Sequence, residues 1–344
     1  MHMADALLSP AVGGTLWAAS AGALAFCTRN VQRVPDDRKI PLMGVLGAFI
    51  FAAQMINFTI PATGSSGHLG GGLLLAILLG PHAAVLVIAS VLTVQALLFA
   101  DGGLLALGCN LFNLGVIPCC LAYPLLYKPL AGNGNSPLRV SIGATVAAIA
   151  GLQLGALGVV FETVFSGIAE LPFQPFLWAM LPVHLAIGLV EGLASSAVLS
   201  FVRKARPELL ACATARPLPT RSRTKVLTGL ALAAALTGGV VSWFASPLPD
   251  GLEWAIARTA GTKQLAPPQT GIHPVLAATQ QKTALLPAYA FRHTERDSAA
   301  PAPPPPAWPA VEAGTSVSGL AGGGLTLLLA MGIGLVFRKR NRVA

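Results

Sequence analysis

Residues 140–164 read VSIGATVAAIAGLQLGALGVVFETV, an apolar run in which Glu162 is the one charged residue. A helix of about 20 apolar residues crosses the hydrocarbon core of a bilayer, so this run is long enough to do so. The many Gly and Ala residues between Ala144 and Gly158 favour close packing against another helix. The stretch therefore predicts a membrane-spanning helix with a closely packed face.

The whole chain has the composition of such helices. Of its 344 residues, 54% are hydrophobic and 10% are charged, whereas soluble domains are about 25% charged. Aromatic residues are few and glycines are many, which favours helices over a barrel with aromatic girdles. The predicted fold class is an all-α, polytopic transmembrane helix bundle, with further spans near residues 11–27, 41–58, 82–100, 104–126, 176–202, 226–244 and 319–337.

The positive charges predict how the helices are oriented. Net charge is +9, but Lys and Arg gather in short segments between apolar runs, at 29–39, 203–225 and 338–342. This is the positive-inside pattern, and it excludes a nucleic-acid-binding face. The loop at 128–139 is also expected inside, which requires the short run Gly70–Gly80 to count as a crossing. We expect a bacterial inner-membrane protein with its N-terminus outside and its C-terminus in the cytoplasm.

Three parts follow from this topology. They are a seven-span domain, a basic cytoplasmic linker and a two-span accessory module, at residues 1–202, 203–225 and 226–344 respectively. Within the accessory module, the Pro- and Ala-rich segment Ser246–Ser318 is expected to be extended or mobile outside the membrane. Since no Lys or Arg precedes Arg29, no cleavable signal peptide is expected, and Met1 should be the first residue of the protein.

The N-terminal sequence Met1-His2-Met3 can chelate a metal ion. The bulky His2 should block removal of Met1, so a free amine is retained. That amine, the deprotonated backbone nitrogen of His2 and the Nδ1 atom of His2 form two fused chelate rings. A fourth nitrogen would complete a square plane, a geometry typical of Ni(II) or Cu(II) that Co(II) can accept. His68, in the Gly-rich loop 63–71 on the same side of the membrane, is the natural fourth ligand.

Met1, His2 and His68 are accompanied by sequence motifs that resemble those of a known family. The whole set comprises Met1-His2 with Asp5 and Leu8-Ser9-Pro10, then Asn57-Phe58, the Gly-Ser-Ser-Gly-His68-Leu loop, Gly80-Pro81-His82-Ala83-Ala84, and the segment Gly108–Gly115. With these motifs, the chain resembles the CbiM/NikM group, the substrate-binding S subunits of energy-coupling-factor (ECF) importers for cobalt and nickel. The string Asp250-Gly251-Leu252-Glu253 resembles the signature of the small N-type accessory subunit of these importers.

The resemblance implies a function and partners. Ni²⁺ or Co²⁺ would be the transported substrate, held by Met1, His2 and His68, with no organic cofactor. The chain would be no enzyme, because ATP hydrolysis would lie on separate ATP-binding subunits that act with a transmembrane coupling subunit. The small residues between Ala144 and Gly158 would pack against that subunit. The imported metal would supply cobalamin biosynthesis or nickel enzymes. The accessory module would help to load metal, which requires contact with the loop near His68.

Other polar residues are expected to support the site. Gln54, Asn57, Asn110 and Asn113 are placed to bind the backbone of the N-terminal segment, and Asp5, Ser65 and Ser66 accompany the ligand residues. His184 and Glu191 lie seven positions apart on one face of a predicted helix. An ionisable group in hydrocarbon is costly unless it is paired or functional, so these two residues either form helix-packing hydrogen bonds or support the site.

Two other functional classes remain open from the residues alone. One is a polytopic membrane metalloenzyme with a metal at His184 and Glu191. The other is a proton-coupled carrier controlled by Glu162 and Glu191. The chain has no phosphate-binding Gly-x-x-x-x-Gly-Lys motif, no His-Glu-x-x-His motif and no Ser-His-Asp grouping, which argues against an enzyme. The sequence does not choose between nickel and cobalt.

Overall fold

The computed structural model describes residues 1–34, 36, 37, 39–205, 220–262, 265–292 and 308–343. It is a helix bundle, as the composition predicts. The described helices are α1 (Pro10–Arg33), α2 (Lys39–Gln54), α3 (Gly72–Leu79), α4 (Pro81–Leu98), α5 (Leu107–Ala131, a π-helix over Phe112–Tyr127), α6 (Pro137–Ser166), α7 (Phe173–Ala205), α8 (Thr220–Gly239), α9 (Gly251–Ala260), α10 (His273–Thr283) and α11 (Ala313–Val343).

Six helices in the described part of the chain are long and apolar enough to cross a membrane: α1, α4, α5, α6, α7 and α11. Shorter apolar helices are α2 and the part of α8 from Leu227 to Gly239. The helix α3 is shorter again, with eight residues. The positions of the apolar runs are therefore as predicted, and the count of seven plus two crossings stays a prediction.

Helix boundaries follow the local sequence. The Ser9 side chain caps α1 by accepting from the Val12 backbone nitrogen, and Pro10 occupies the first helical position, where a missing N–H costs nothing. Between α3 and α4, Gly80 has a φ of 84°, a conformation that favours glycine, and Pro81 starts the next helix. This interruption of the helix explains why α3 ends at Leu79.

The structure contains one element that the sequence did not predict. Strands β1 (Phe58–Ile60) and β2 (Ser65–Gly67) form a short antiparallel hairpin in which Thr59 pairs with Ser66. The Gly-rich loop is thus ordered by backbone hydrogen bonds. It places His68 directly after a strand and just before α3.

The packing of α6 corrects one expectation. Its small residues Ala144, Ala147, Ala148, Gly151 and Gly155 are buried inside the chain. A methyl group on Gly188 or Gly192 of α7 would lie 2.8 or 2.5 Å from the Cα atoms of Ile149 and Thr145. Gly151 and Gly155 instead face α5, and Gly155 also faces the Met1 side chain. The small residues of α6 therefore pack against α5 and α7 inside the chain, rather than offering a surface to a coupling subunit.

The expectation that Ser246–Ser318 is extended or mobile is also corrected, because the segment contains the helices α9 and α10. Asp250 starts α9 with a capping box, in which its side chain accepts from the Glu253 backbone while Glu253 bonds back to the Asp250 nitrogen. Pro274 occupies the first turn of α10. The proline run 301–306 and residues 206–219 of the predicted linker lie outside the described residues. Helices α8 and α11 pack against α2 of the predicted first domain.

Candidate metal centre

The N-terminal segment is buried in the bundle ahead of a short 3-10 turn at Asp5–Leu7. Met1 is 5% exposed and Met3 is fully buried. Asn110 bonds both backbone groups of Met3: its Oδ1 accepts from the nitrogen at 2.8 Å and its Nδ2 donates to the oxygen at 3.2 Å. The Gly103 nitrogen donates to the same oxygen at 2.8 Å. Asp5 accepts from the Ala106 nitrogen at 2.9 Å. The chain start is therefore fixed in place.

The amine of Met1 meets the imidazole of His68. The Met1 nitrogen lies 2.7 Å from His68 Nε2, and both residues are buried. Neighbouring donors of a square plane with metal–nitrogen bonds of about 2 Å lie about 2.8 Å apart. The two nitrogens lie at hydrogen-bond distance, which is also the spacing of two adjacent ligands in a plane.

The imidazole of His68 is neutral in this structure. Its Nδ1 lies 3.1 Å from the carbonyl oxygen of Leu69, which can only accept, so Nδ1 carries the proton and Nε2 keeps its lone pair. Burial, with repulsion from the Met1 ammonium and from His2, lowers the pKa of His68 to about 3. A neutral imidazole whose second nitrogen is fixed by a carbonyl is the usual form of a metal-binding histidine.

Glu191 fixes the loop that carries His68. Its two carboxylate oxygens accept from the backbone nitrogens of Gly70 and Gly71 at 2.7 and 3.0 Å. Gln54 donates to the Gly70 oxygen at 2.7 Å. The buried carboxylate, expected either to pack helices or to support the site, therefore ties α7 to the residues that follow His68.

His2 lies beside Asp101, which the sequence analysis did not single out. The Nδ1 atom of His2 is 3.1 Å from Asp101 Oδ1, and the rings of His2 and His68 stack with centroids 5.0 Å apart. Tyr289 of the accessory module donates its hydroxyl to Asp101 Oδ2. The Asp101-Gly102-Gly103 turn at the end of an apolar run was the available signal for Asp101. Tyr289 lies in a segment without any such pattern.

Asp250 is also part of this site, although the sequence indicated only its role as a signature residue. Its Oδ2 lies 2.9 Å from the Met1 amine. Burial alone would raise the pKa of Asp250, but attraction by the Met1 ammonium lowers it well below its usual range. Gly251, Leu252 and Glu253 form the first turn of α9 behind it.

Contacts of the hairpin bring Asp250 to this position. The Ser66 nitrogen donates to the Pro249 oxygen at 2.8 Å, and the Ser66 hydroxyl donates to the Leu248 oxygen at 2.8 Å. The Asn57 oxygen accepts from the Ser246 nitrogen at 2.7 Å. The accessory module therefore touches the loop near His68, as the resemblance required.

The other residues that were predicted to support the site form hydrogen bonds elsewhere in the protein. Asn57 binds the accessory module, and Ser65 bonds Thr63 within the hairpin. Asn113 donates to Glu162, so it does not bind the backbone of the N-terminal segment. His184 uses Nδ1 on the Met180 oxygen, and its buried Nε2 has no hydrogen-bond partner among the described residues. Of the expected asparagines, Asn110 is the one that binds that backbone.

The arrangement suits a cation held by nitrogen donors. Within the described ranges, no three His, Cys, Asp or Glu side chains gather as a metal-binding group. The two carboxylate oxygens of Glu191 serve backbone amides, which leaves the metalloenzyme alternative without its proposed ligand pair. The donors that do converge are an amine and imidazoles, with Asp101 and Asp250 beside them.

The chain is similar to known metal transport proteins. Residues 2–209 match the family model for the cobalt uptake substrate-specific transmembrane region, CbiM, and residues 224–339 match the PDGLE domain. The putative fused nickel transport protein NikMN of Archaeoglobus fulgidus is 35% identical over 217 residues, which cover 61% of this chain and 68% of that protein.

A second relative extends further along the chain. The probable fused nickel transport protein LarMN of Lactiplantibacillus plantarum is 34% identical over 250 residues, covering 69% of this chain and 74% of the relative. Among solved structures, a truncated transition metal transporter is 30% identical with a TM-score of 0.52, and the match covers 59% of this chain and 99% of the other. The chain therefore belongs to the CbiM family of cobalt uptake substrate-specific transmembrane proteins and carries a PDGLE domain in the same polypeptide.

Proposed function

We propose that this chain captures one Ni²⁺ or Co²⁺ ion as transport substrate, through the Met1 amine, the backbone nitrogen and Nδ1 of His2, and Nε2 of His68. The observation that carries the proposal is the 2.7 Å separation of the Met1 nitrogen and His68 Nε2, the spacing of adjacent ligands in a plane. His2 follows Met1 directly, so its two nitrogens close five- and six-membered rings on the same ion. In this structure the Nδ1 atom of His2 lies against Asp101, so chelation requires the imidazole of His2 to turn.

Ni²⁺ is the proposed preferred substrate. Four nitrogen donors in a plane suit Ni(II), while Co(II) accepts the geometry under a strong ligand field. The relatives that share the fused arrangement are named as nickel transport proteins. The metal would supply nickel enzymes, and imported Co²⁺ would supply cobalamin biosynthesis.

Transport is proposed to follow the ECF scheme. The chain would lie in the bacterial inner membrane with Met1 outside and the C-terminus inside, and it would bind and deliver metal without hydrolysing ATP. A transmembrane coupling subunit and ATP-binding subunits would supply the energy. Metal uptake that continues in cells lacking these ATP-binding subunits would favour a proton-coupled carrier instead.

The binding test uses the full chain with a free N-terminus and a C-terminal tag. Mass spectrometry first establishes that Met1 is retained, and calorimetry then measures Ni²⁺ and Co²⁺ affinities in detergent. The His2→Gln variant, whose bulky second residue still protects Met1 from removal, and the His68→Ala variant should lose binding. The His82→Ala variant, which removes an imidazole that packs on Phe26, should keep it. Undiminished affinity in the first two variants would contradict the proposed ligands.

A further inference from the structure

Each of the two ligand residues at the chain start lies beside a carboxylate. The Met1 nitrogen is 2.9 Å from Asp250, and His2 Nδ1 is 3.1 Å from Asp101. Both carboxylates are largely buried. Each carboxylate accepts further hydrogen bonds, Asp101 from the hydroxyl of Tyr289 and Asp250 from the backbone nitrogen of Glu253.

Both carboxylates depend on the accessory module. Asp250 is one of its residues, whereas Asp101 follows α4 and is held by the hydroxyl of Tyr289. Asn or Asp side chains cap helices about equally well, so the cap of α9 does not by itself require a charge at position 250. The charge at this position instead serves the Met1 amine.

Tyr289 is itself fixed against the end of α4. Its ring stacks on Phe99 with centroids 4.9 Å apart. The backbone nitrogens of Leu286 and Ala288 donate to the oxygens of Leu98 and Phe99 at 3.1 and 2.9 Å. Both Ala288 and Tyr289 have positive φ angles, of 51° and 61°, which non-glycine residues adopt at a cost. The contacts with α4 hold the hydroxyl in the position that reaches Asp101.

The turn that carries Asp101 is held from the same side. Gln280 of α10 donates to the backbone oxygens of Ala96 and Gly102 at 2.9 and 2.7 Å. The accessory module thus binds the residues on both sides of Asp101 as well as its side chain. The Asp250 carboxylate and the Tyr289 hydroxyl therefore both reach the site from the accessory module.

We propose that Asp250 and Tyr289 are positioning residues of the metal site, Asp250 acting directly on Met1 and Tyr289 acting on His2 through Asp101. This inference rests on the proposed function and deepens it, because it makes the accessory module part of the binding site. A coordinated amine keeps N–H groups that Asp250 can still accept from. The carboxylates of Asp101 and Asp250 lie next to the proposed ligands and attract a divalent cation, so both favour the loaded site.

The test measures Ni²⁺ affinity on the full chain in detergent. Asp250→Asn removes the charge but keeps a helix cap, and Tyr289→Phe removes one hydroxyl. Loss of groups that orient metal ligands typically weakens binding by about 10–100-fold, and we expect such a loss for Asp250→Asn and about tenfold for Tyr289→Phe. The matched controls Glu312→Gln, at an exposed site, and Tyr123→Phe, in α5, should bind as the unaltered chain does.

A double-mutant cycle separates positioning from a merely structural role. If Tyr289 acts through Asp101, Tyr289→Phe should have no further effect in an Asp101→Asn background. An equal loss in both backgrounds would overturn the inference, as would unchanged or tighter binding in Tyr289→Phe and Asp250→Asn. Thermal melting checks that each variant is folded. Absence of binding in the unaltered chain would instead contradict the proposed function, so the two failures are distinguishable.

Discussion

The Nε2 atom of His68 lies 2.7 Å from the α-amino nitrogen of Met1, although 67 positions separate the two residues. This contact joins the start of the chain to a loop fixed by Glu191, and Asp250 meets the same amine from the accessory module. Four predictions follow from how these groups are held.

Adding two glycines before Met1 should abolish metal binding. The extension converts the Met1 amine into an amide, which removes a ligand and the buried ion pair with Asp250. Two glycines are used because a single one would give Gly-Met-His, whose amine, two backbone nitrogens and imidazole can themselves chelate Ni²⁺ in a plane. Calorimetry with Ni²⁺ on the extended protein gives the measurement, and the same two glycines added after Ala344 are the control. Retained affinity after the N-terminal extension would exclude the amine as a ligand.

Replacing Gly103 with alanine should displace the N-terminal segment. A Cβ atom there would lie 1.9 Å from Asp5 Oδ1 and 2.5 Å from the Asp5 nitrogen. Such overpacking typically costs about 1–3 kcal/mol, and we expect both a lower melting temperature and weaker Ni²⁺ binding. Gly14→Ala in α1, where nothing lies within 4 Å, should be neutral or stabilising. Equal behaviour of the two variants would contradict the prediction.

Glu191→Gln should weaken metal binding by about 10–100-fold, the usual effect of losing a group that orients a ligand. An amide has one acceptor oxygen, so the backbone nitrogen of Gly70 or Gly71 would lose its partner and the residues after His68 would shift. Glu162→Gln makes the same chemical change where the carboxylate bonds Asn113, and it should leave Ni²⁺ affinity nearly unchanged. If instead both variants bind metal normally but fail to transport, the proton-coupled carrier gains support.

Bound metal should stabilise the fold. Because the ion joins the chain start to the His68 loop, Ni²⁺ at a hundred times its dissociation constant should add about 2.7 kcal/mol to the free energy of unfolding. Thermal melting in detergent should rise with added Ni²⁺ and fall back when a chelator is added. His68→Ala should melt at the same temperature with and without Ni²⁺, and a metal-dependent rise in that variant would place the ion elsewhere.

Part of the site was predictable because its members carry local signals. Met1 and His2 are neighbours in sequence, and His68 stands in a Gly-rich loop between apolar runs. Asp101 and Tyr289 were not predicted, because neither lies in a pattern that names its partner. The expectation that Ser246–Ser318 lacks ordered structure was wrong for α9 and α10, since high Pro and Ala content hid a capping box and a proline-started helix.

The sequence by itself determined the helical membrane fold, because apolar length and the placement of Lys and Arg are local properties of the chain. It also predicts the proposed donor set at Met1 and His2, because these donor atoms are adjacent in the chain. Only the tertiary structure decided that Asp250 lies 2.9 Å from the Met1 amine across 249 positions, and that Tyr289 holds the aspartate beside His2. Such contacts depend on how α9 and the end of α4 pack together with the hairpin, and packing between distant segments leaves no periodic trace in the sequence.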